Sequence, residues 1–469
     1  MEDTEIDCGC NCNGCGYFDI NIPHDSYSVG DCCTRKIGDP YPKPKILENM
    51  KICVFGLWHL GCVTAACLAD KGYIVTGLDP NKEVINNLYK GISPIQEPYL
   101  DELINRNLGI NLAFTTNIEE AMKDTNIVWV TFDTPVDNND NADELYVKQQ
   151  IMSLYPYFRD DMTILISSQL SVGSTTKLEK EYKNWFKRDV SFACSPENLR
   201  LGKAIEVFNN PERIIVGVKE KVMPLKLYNL LASICSNLIF MIPESAEMTK
   251  HALNSFLATE ITFINEIARI CEISGADVRD VEKGLKSDSR IGEKAYLKAG
   301  SAFAGGTLAR DLMFLNHIKY MPVLSSVIES NDDHKLWALS VIKEHFNMDL
   351  RGKCIAVLGL TYKPKTNTLR RSSSIELCKK LIEFSANIKT HDPSIKELPK
   401  EYSNFNLCQT IADAVEDVDA IIISTEWDIY KNLNTGNLPK SVVIVDANGF
   451  IRENFIGTDI KYYSVGKGI

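Results

Sequence analysis

No apolar run in this 469-residue chain approaches the ~20 residues that a bilayer-spanning helix requires, and its first residues, Met-Glu-Asp-Thr-Glu, carry neither a basic segment nor an apolar one. These absences argue against a membrane partner and predict a cytoplasmic protein. Positive charge is also short. With 51 Lys and Arg against 62 Asp and Glu the net charge is -11, and an acidic surface repels phosphate backbones, so nucleic acid is not an expected partner. A local basic pocket for a small phosphate remains compatible with that balance. What is present fits a folded protein: 45% hydrophobic residues, 24% charged residues and a mean hydropathy of -0.12. The length calls for more than one core.

Cysteine is plentiful, 15 residues in all. Nine are scattered through apolar stretches, as at Cys53, Cys67, Cys235 and Cys354, and read as reduced core residues. Six crowd the start: Cys8, Cys10, Cys12, Cys15, Cys32 and Cys33. Of these, Cys8, Cys10, Cys12 and Cys15 are candidate ligands for Zn²⁺ or an iron–sulfur cluster, because soft metals favour thiolates. The alternative is a tail of reduced thiols.

Four stretches follow from the composition and periodicity. Residues 1–48 form a Cys-rich extension and linker closing on Asp-Pro-Tyr-Pro-Lys-Pro. Residues 49–240 read as strand, turn, helix and strand, the βαβ unit of a doubly wound α/β domain. Residues 241–345 open with a long helix from 244 to about 275, in which Leu253, Phe256, Leu257, Ile261, Ile264, Ile267 and Cys271 recur at spacings of three and four; that stripe is core or a dimer seam. Residues 346–469 repeat the opening pattern from Cys354-Ile-Ala-Val-Leu-Gly-Leu onwards. The fold class expected is α/β, with two Rossmann-like doubly wound domains joined by a long central helix.

The first domain carries a dinucleotide-type turn, Gly56-Leu57-Trp58-His59-Leu60-Gly61, in which Trp58 stands at the middle glycine of GxGxxG. Those glycines provide a tight turn, close backbone approach to a pyrophosphate and close helix packing. Asp79 ends the next strand, where an acid bonds the ribose 2′-hydroxyl of NAD and disfavours the NADP phosphate. The alternative is a βαβ turn that kept its shape without a ligand.

Over residues 50–469 the chain resembles the UDP-glucose/GDP-mannose dehydrogenase family. The resemblance runs in order through Ser93-Pro-Ile-Gln-Glu-Pro98, Ser195-Pro-Glu-Asn-Leu-Arg-Leu-Gly-Lys-Ala204, Asn210-Pro-Glu-Arg213, Glu244-Ser-Ala-Glu-Met-Thr-Lys250, Arg290-Ile-Gly292, Gly359-Leu-Thr-Tyr-Lys-Pro364 and Thr425-Glu-Trp427. It implies NAD in the first domain, held around Gly56, Trp58, Leu60, Gly61, Asp79 and Thr134, a nucleotide-sugar substrate (a UDP-sugar above all) against the second, and a homodimer across the central helix. In such enzymes a cysteine holds the aldehyde while a sugar alcohol is oxidised twice. Lys250 and Asn254 match the family's catalytic Lys and Asn, and their i, i+4 spacing puts both on one helical face where they stabilise an oxyanion. Asp311 matches an Asp that works through bound water, and Glu197 an acid near the hydrolytic step. Arg290, Phe303, Gly305 and Lys363 match substrate-binding positions.

Departures fall in the same regions. Aligned without gaps, Gly300-Ser-Ala-Phe-Ala-Gly-Gly-Thr-Leu-Ala-Arg-Asp311 puts Thr307 at the cysteine position, and a hydroxyl has a far higher pKa than a thiol. Gln169 stands for a Thr, Asp133 for a Gly, Leu201 for a Glu, and Asp446-Ala-Asn-Gly449 lacks the Arg of Asp-Gly-Arg. Two functions follow. One is an NAD-dependent oxidoreductase acting on a CH–OH group of a nucleotide sugar by a route without a thioester. The other is a binding or regulatory protein on the same fold.

Overall fold

The computed structural model describes residues 17–19, 50–135, 142–196, 199–219, 222–304, 306–370 and 372–467. Residues 8, 10, 12 and 15, proposed as metal ligands, lie outside them, as do Glu197 and Gly305. The chain divides into two compact units, Met1–Lys250 and His251–Ile469.

The main sheet of the N-terminal unit has eight strands: β1 (Lys51–Phe55), β2 (Ile74–Leu78), β3 (Leu112–Thr115), β4 (Ile127–Val130), β5 (Thr163–Ile166), β6 (Ser191–Cys194), β7 (Ile214–Val218) and β8 (Leu238–Met241). They lie in the order β8-β7-β6-β5-β4-β1-β2-β3. The first six strands are parallel in the 3-2-1-4-5-6 arrangement of a dinucleotide fold. β7 pairs antiparallel with β6, and β8 parallel with β7, so the sheet is mixed where the sequence pattern suggests a wholly parallel one. β1, β4 and β5 read as continuous apolar runs because helices cover both faces of a parallel sheet.

Helix α1 (His59–Asp70) buries every residue from Gly61 to Ala69, which is why it shows no amphipathic stripe. Its small residues, Gly61, Ala65, Ala66 and Ala69, let it lie close to the sheet. Two cores flank that sheet. One gathers Ile52, Val54, Leu68 and Val75; the other gathers Phe55, Val128, Ile164 and Phe192.

In the C-terminal unit, β9 (Cys354–Leu358), β10 (Asn387–His391), β11 (Asn406–Leu407), β12 (Ala420–Ile423), β13 (Val443–Asp446) and β14 (Lys461–Tyr463) form a parallel sheet ordered β11-β10-β9-β12-β13-β14. This is the 3-2-1-4-5-6 order again. The repeat extends to the first turn. Gly56 has φ +99 and Gly359 has φ +92, and in each case the next backbone N–H donates to the aspartate ending the second strand: Leu57 to Asp79 at 2.7 Å, Leu360 to Asp392 at 2.8 Å. A side chain at Gly56 would strike Phe132 at 2.7 Å, and one at Gly359 would strike Thr425 at 2.5 Å.

Helix α2 (Ser174–Phe186) follows β5, and the 32-residue helix α3 (Pro243–Ser274) follows β8. At its start Glu247 accepts hydrogen bonds from the Gly173 and Thr175 amides, at 2.5 and 2.9 Å, so an acid caps the positive end of α2. Further along, α3 turns its polar residues inward. His251, Asn254, Ser255, Thr262 and Asn265 are buried, while Phe256, Phe263, Ile270 and Ile273 are exposed, Ile273 at 89%. The apolar stripe expected from the sequence is therefore only partly core: Ile264 and Cys271 are buried, Leu253, Leu257, Ile261 and Ile267 half-buried, and Phe256 61% exposed. After it come α4 (Thr307–Ile318), α5 (Pro322–His334) and, beyond β9, α6 (Ser373–Glu383).

Among the described residues no helix is long and apolar enough to cross a membrane. The nine described cysteines are free, and all but Cys354 and Cys408 are buried. Burial pushes the Cys53 and Cys67 thiols up to about 12, so they stay protonated.

Candidate active site

The N-terminal unit has a cavity of about 350 Å³ at the switch point between β1 and β4, where open α/β sheets hold their ligands. Gly56, Leu57, Trp58, Asp79, Phe132, Asp133 and Tyr146 are among its lining residues. The turn glycines are required by space. A Cβ on Gly61 would lie 1.9 Å from the Gly56 carbonyl oxygen. Trp58 stands just before α1 with its indole 45% exposed, so it forms wall rather than core. Leu60 is half-buried in the first turn of α1.

Asp79 is buried and accepts from the Leu57 amide at 2.7 Å and the Asn81 amide at 2.8 Å. A carboxylate has about four acceptor sites, so two hydrogen bonds leave capacity for ribose hydroxyls. Thr134 is buried and spends its hydroxyl on the Gln169 carbonyl oxygen at 2.5 Å, tying the segment after β4 to that after β5. The cavity, the glycine turn and the buried acid fit NAD. The exposed Asp133 carboxylate adds negative charge to the wall, which opposes a pyrophosphate.

One residue that appears in the sequence only as part of the 93–98 motif, with no role of its own, organises this unit. Glu97 is buried and accepts from the Gly202 amide (2.8 Å), the Ala204 amide (2.9 Å) and His59 Nε2 (2.9 Å). It joins the segment 93–98, the segment 195–204 and the start of α1. Nothing local in the sequence reveals this, because the partners lie 38 to 107 positions away.

The C-terminal unit brings Asn254, Asp311 and His251 together. Asp311 is fully buried at 0% exposure; its Oδ1 lies 3.0 Å from His251 Nδ1 and its Oδ2 accepts from the Asn254 amide nitrogen. Lys250 sits on α3 one turn before Asn254 and is half-buried. Thr307 is the first residue of α4, exposed, and one turn before Asp311.

The loop leading to Thr307 is pinned at several points. The Gly300 amide donates to Asn265 Oδ1 (2.9 Å), and the Gly300 carbonyl accepts from His334 Nε2 (2.8 Å). The Ser301 amide donates to Asn448 Oδ1 (2.8 Å). Asn331 bonds both the amide and the carbonyl of Phe303, each at 2.9 Å. The Phe303 ring packs with Ala258, Leu312 and Val327 in a small core. Asn448, in the stretch that lacks the arginine, thus anchors this loop. His334 donates through Nε2 to the Gly300 carbonyl, and burial lowers its pKa below the ordinary histidine value.

Lys363 lies half-buried in the loop after β9; the neighbouring Tyr362 hydroxyl would stand 3.4 Å from a Cβ on Gly306. Residues 300–304 and 306, the loop 361–368 and residues 447–449 therefore converge at the carboxyl ends of β9 and β13, and a further cavity there is lined by Ser301, Ala302, Ser424 and Ala447. Arg290 is exposed and bonded to Asp288 through its guanidinium at 2.7 and 3.0 Å. Nothing links it to Asp311 among the described contacts. Among the described residues no cluster of metal-ligating side chains occurs.

Three family domains match the chain in succession: the UDP-glucose/GDP-mannose dehydrogenase NAD-binding domain over residues 50–234, the central domain over 244–333 and the UDP-binding domain over 356–453. The chain belongs to the UDP-glucose/GDP-mannose dehydrogenase family. It is 34% identical to a UDP-glucose 6-dehydrogenase of Rickettsia bellii over 438 residues, covering 90% of this chain and 100% of that one. A UDP-glucose 6-dehydrogenase of Bacillus subtilis is 32% identical over 434 residues, covering 89% and 93%. Among solved structures, a UDP-glucose dehydrogenase from Pyrobaculum islandicum superposes with a TM-score of 0.78 at 27% identity, covering 90% of this chain and 99% of that one. As a member of this family the protein is an NAD-dependent nucleotide-sugar dehydrogenase, and the binding-protein alternative is not favoured.

Proposed function

We propose that this dehydrogenase oxidises a CH–OH group of a UDP-sugar, with UDP-glucose the first candidate, without forming a thioester on the protein. The reading is carried by the buried Asp311, which keeps Asn254 and His251 as hydrogen-bond partners on a segment where Thr307 replaces the thiol. The four described cysteines of this unit support it. Cys271, Cys354, Cys378 and Cys408 pack in or against the sheet cores and have their thiols pushed up by burial, so none offers a thiolate.

NAD held by the Gly56–Gly61 turn and Asp79 would supply the hydride acceptor. The Lys250 ammonium and the Asn254 amide bind the substrate oxygen as it loses its proton, where a positive charge and an oriented dipole stabilise the developing alkoxide. Asp311 takes that proton through a water, and the alcohol carbon gives up its hydride, leaving an aldehyde or ketone, NADH and one proton. The loops around Lys363, Tyr362 and Ser301 hold the nucleotide end. Arg290, Phe303 and Gly305 add contacts to the sugar, and Glu197 serves as an accessory acid.

We also propose that Phe256, Phe263, Ile270 and Ile273 are covered in a homodimer, since a row of apolar side chains exposed along one helix is costly in water. We propose a cytoplasmic location, and Cys8, Cys10, Cys12 and Cys15 as ligands of Zn²⁺ or an iron–sulfur cluster, the alternative being a tail of reduced thiols; metal analysis of the full-length and tail-deleted protein decides between them.

Incubation of the full chain with NAD⁺ and a panel of UDP- and GDP-sugars, followed at the NADH absorbance, tests the reading. NADH formed with a UDP-sugar is the expected result. Its absence with every sugar, together with no NAD binding by calorimetry, overturns it.

A further inference from the structure

The proposed proton acceptor has a partner that the reaction scheme above leaves idle. His251 and Asn254 are three residues apart on α3, and Asp311 and Phe314 are three apart on α4, so each pair shares a helical face. The pairs interlock. The His251 ring stacks on Phe314 with centroids 4.3 Å apart and planes 12° from parallel, and its Nδ1 reaches Asp311 Oδ1 at 3.0 Å. The Asn254 amide takes the other carboxylate oxygen. His251 is 2% exposed.

Donors on opposite oxygens hold the plane of a carboxylate against rotation about the Cβ–Cγ bond, and the His251 N–H is such a donor to Oδ1. A carboxylate oxygen only accepts, so Nδ1 is the protonated nitrogen of the ring. Stacking on Phe314 sets the ring plane and hence the direction of that N–H. The imidazole also offsets part of the cost of burying the Asp311 charge, a cost that otherwise favours turning the carboxylate toward water. We propose that His251 is a positioning residue for the dehydrogenation, holding Asp311 in the orientation from which it takes the substrate's proton. The proposal rests on the reading of Asp311 given above.

The test compares wild type, His251→Phe, His251→Asn and His251→Gln, with kcat and both KM values measured for the sugar and NAD⁺ found active in the panel, and thermal melting as a control for folding. Phe keeps a ring against Phe314 and removes the N–H. Asn places an N–H near the position of Nδ1, whereas Gln places one near Nε2. His251→Phe is expected to lower kcat by about 100-fold, in the range of a misplaced acid–base group. Both KM values should stay within about threefold of wild type, because substrate binding is untouched. His251→Asn should regain at least about tenfold of that loss, and His251→Gln should not.

A His251→Phe enzyme with unchanged kcat overturns the proposal. If that variant does not fold, equal activity of the Asn and Gln variants overturns it, and an Asn variant clearly faster than Gln upholds it. Loss of kcat that tracks melting temperature across the variants also overturns it, since that marks a packing role only. A wild-type chain inactive with every nucleotide sugar overturns the reading of the site and this inference together, whereas an active wild type with unaffected variants overturns the inference alone.

Discussion

Asp79 is proposed to serve both fold and cofactor. It holds the Leu57 amide and so the shape of the glycine turn, and its remaining acceptor capacity faces the cavity. Asp79→Asn replaces half of that capacity with a donor. It should lower kcat/KM for NAD⁺ by about tenfold or more, the range for hydrogen bonds to charged groups, and narrow the preference over NADP⁺; steady-state kinetics with both cofactors checks this. Histidine titration belongs to the same scale. His334 and His391, both buried, and the half-buried His345 have pKa values lowered chiefly by burial, below the ordinary value of 6.5. The unfolded chain therefore binds more protons than the folded one just below that value, so stability is full above pH 6.5 and falls as the pH drops toward the folded-state values. Melting temperature should decline as the pH is lowered through 6. His334→Gln, which keeps an N–H for the Gly300 carbonyl and cannot take up a proton, should flatten part of that decline.

At the scale of elements, the segment that carries Thr307 and Asp311 is positioned by its backbone. Gly300 has room for a hydrogen only: a Cβ there would lie 2.0 Å from Asn448 Oδ1, the atom that accepts from Ser301. Gly300→Ala should break that anchor, lowering activity by at least about tenfold through displaced catalytic groups while the chain still melts cooperatively. Helix α3 makes the opposite point. Its periodicity was legible in the sequence, but the burial of each face was not, because the pattern shows where apolar residues line up and not what covers them. Phe256 and Ile273 are exposed, whereas His251 and Asn265, polar and unremarkable in the sequence, are buried at the site and under the loop. If the proposed homodimer forms across the exposed face, the wild-type chain should have twice the monomer mass by light scattering and Phe263→Asp should halve it; a monomeric wild type, or a dimer that Phe263→Asp leaves intact, overturns that proposal.

For the whole molecule, the α/β class and both glycine turns could be read from local patterns, since a buried parallel strand and a helix start each leave a signature within a dozen residues. The reversal of β7 and β8, the role of Glu97 and the partnership of His251 with Asp311 could not, because each depends on residues brought together from distant parts of the chain. Asn448 belongs with these. The sequence marks it as a missing arginine, and only the fold shows that it holds the Ser301 amide. A single two-electron oxidation, stopping at the aldehyde or ketone where no thiol holds the product, is the proposal on which the reading of the molecule turns. The measurement that tests it most directly is the number of NADH formed per UDP-sugar consumed by the wild-type chain, together with the mass of the sugar product. One NADH per sugar and a product lighter by two hydrogens are expected. Two NADH per sugar and release of the acid would contradict it.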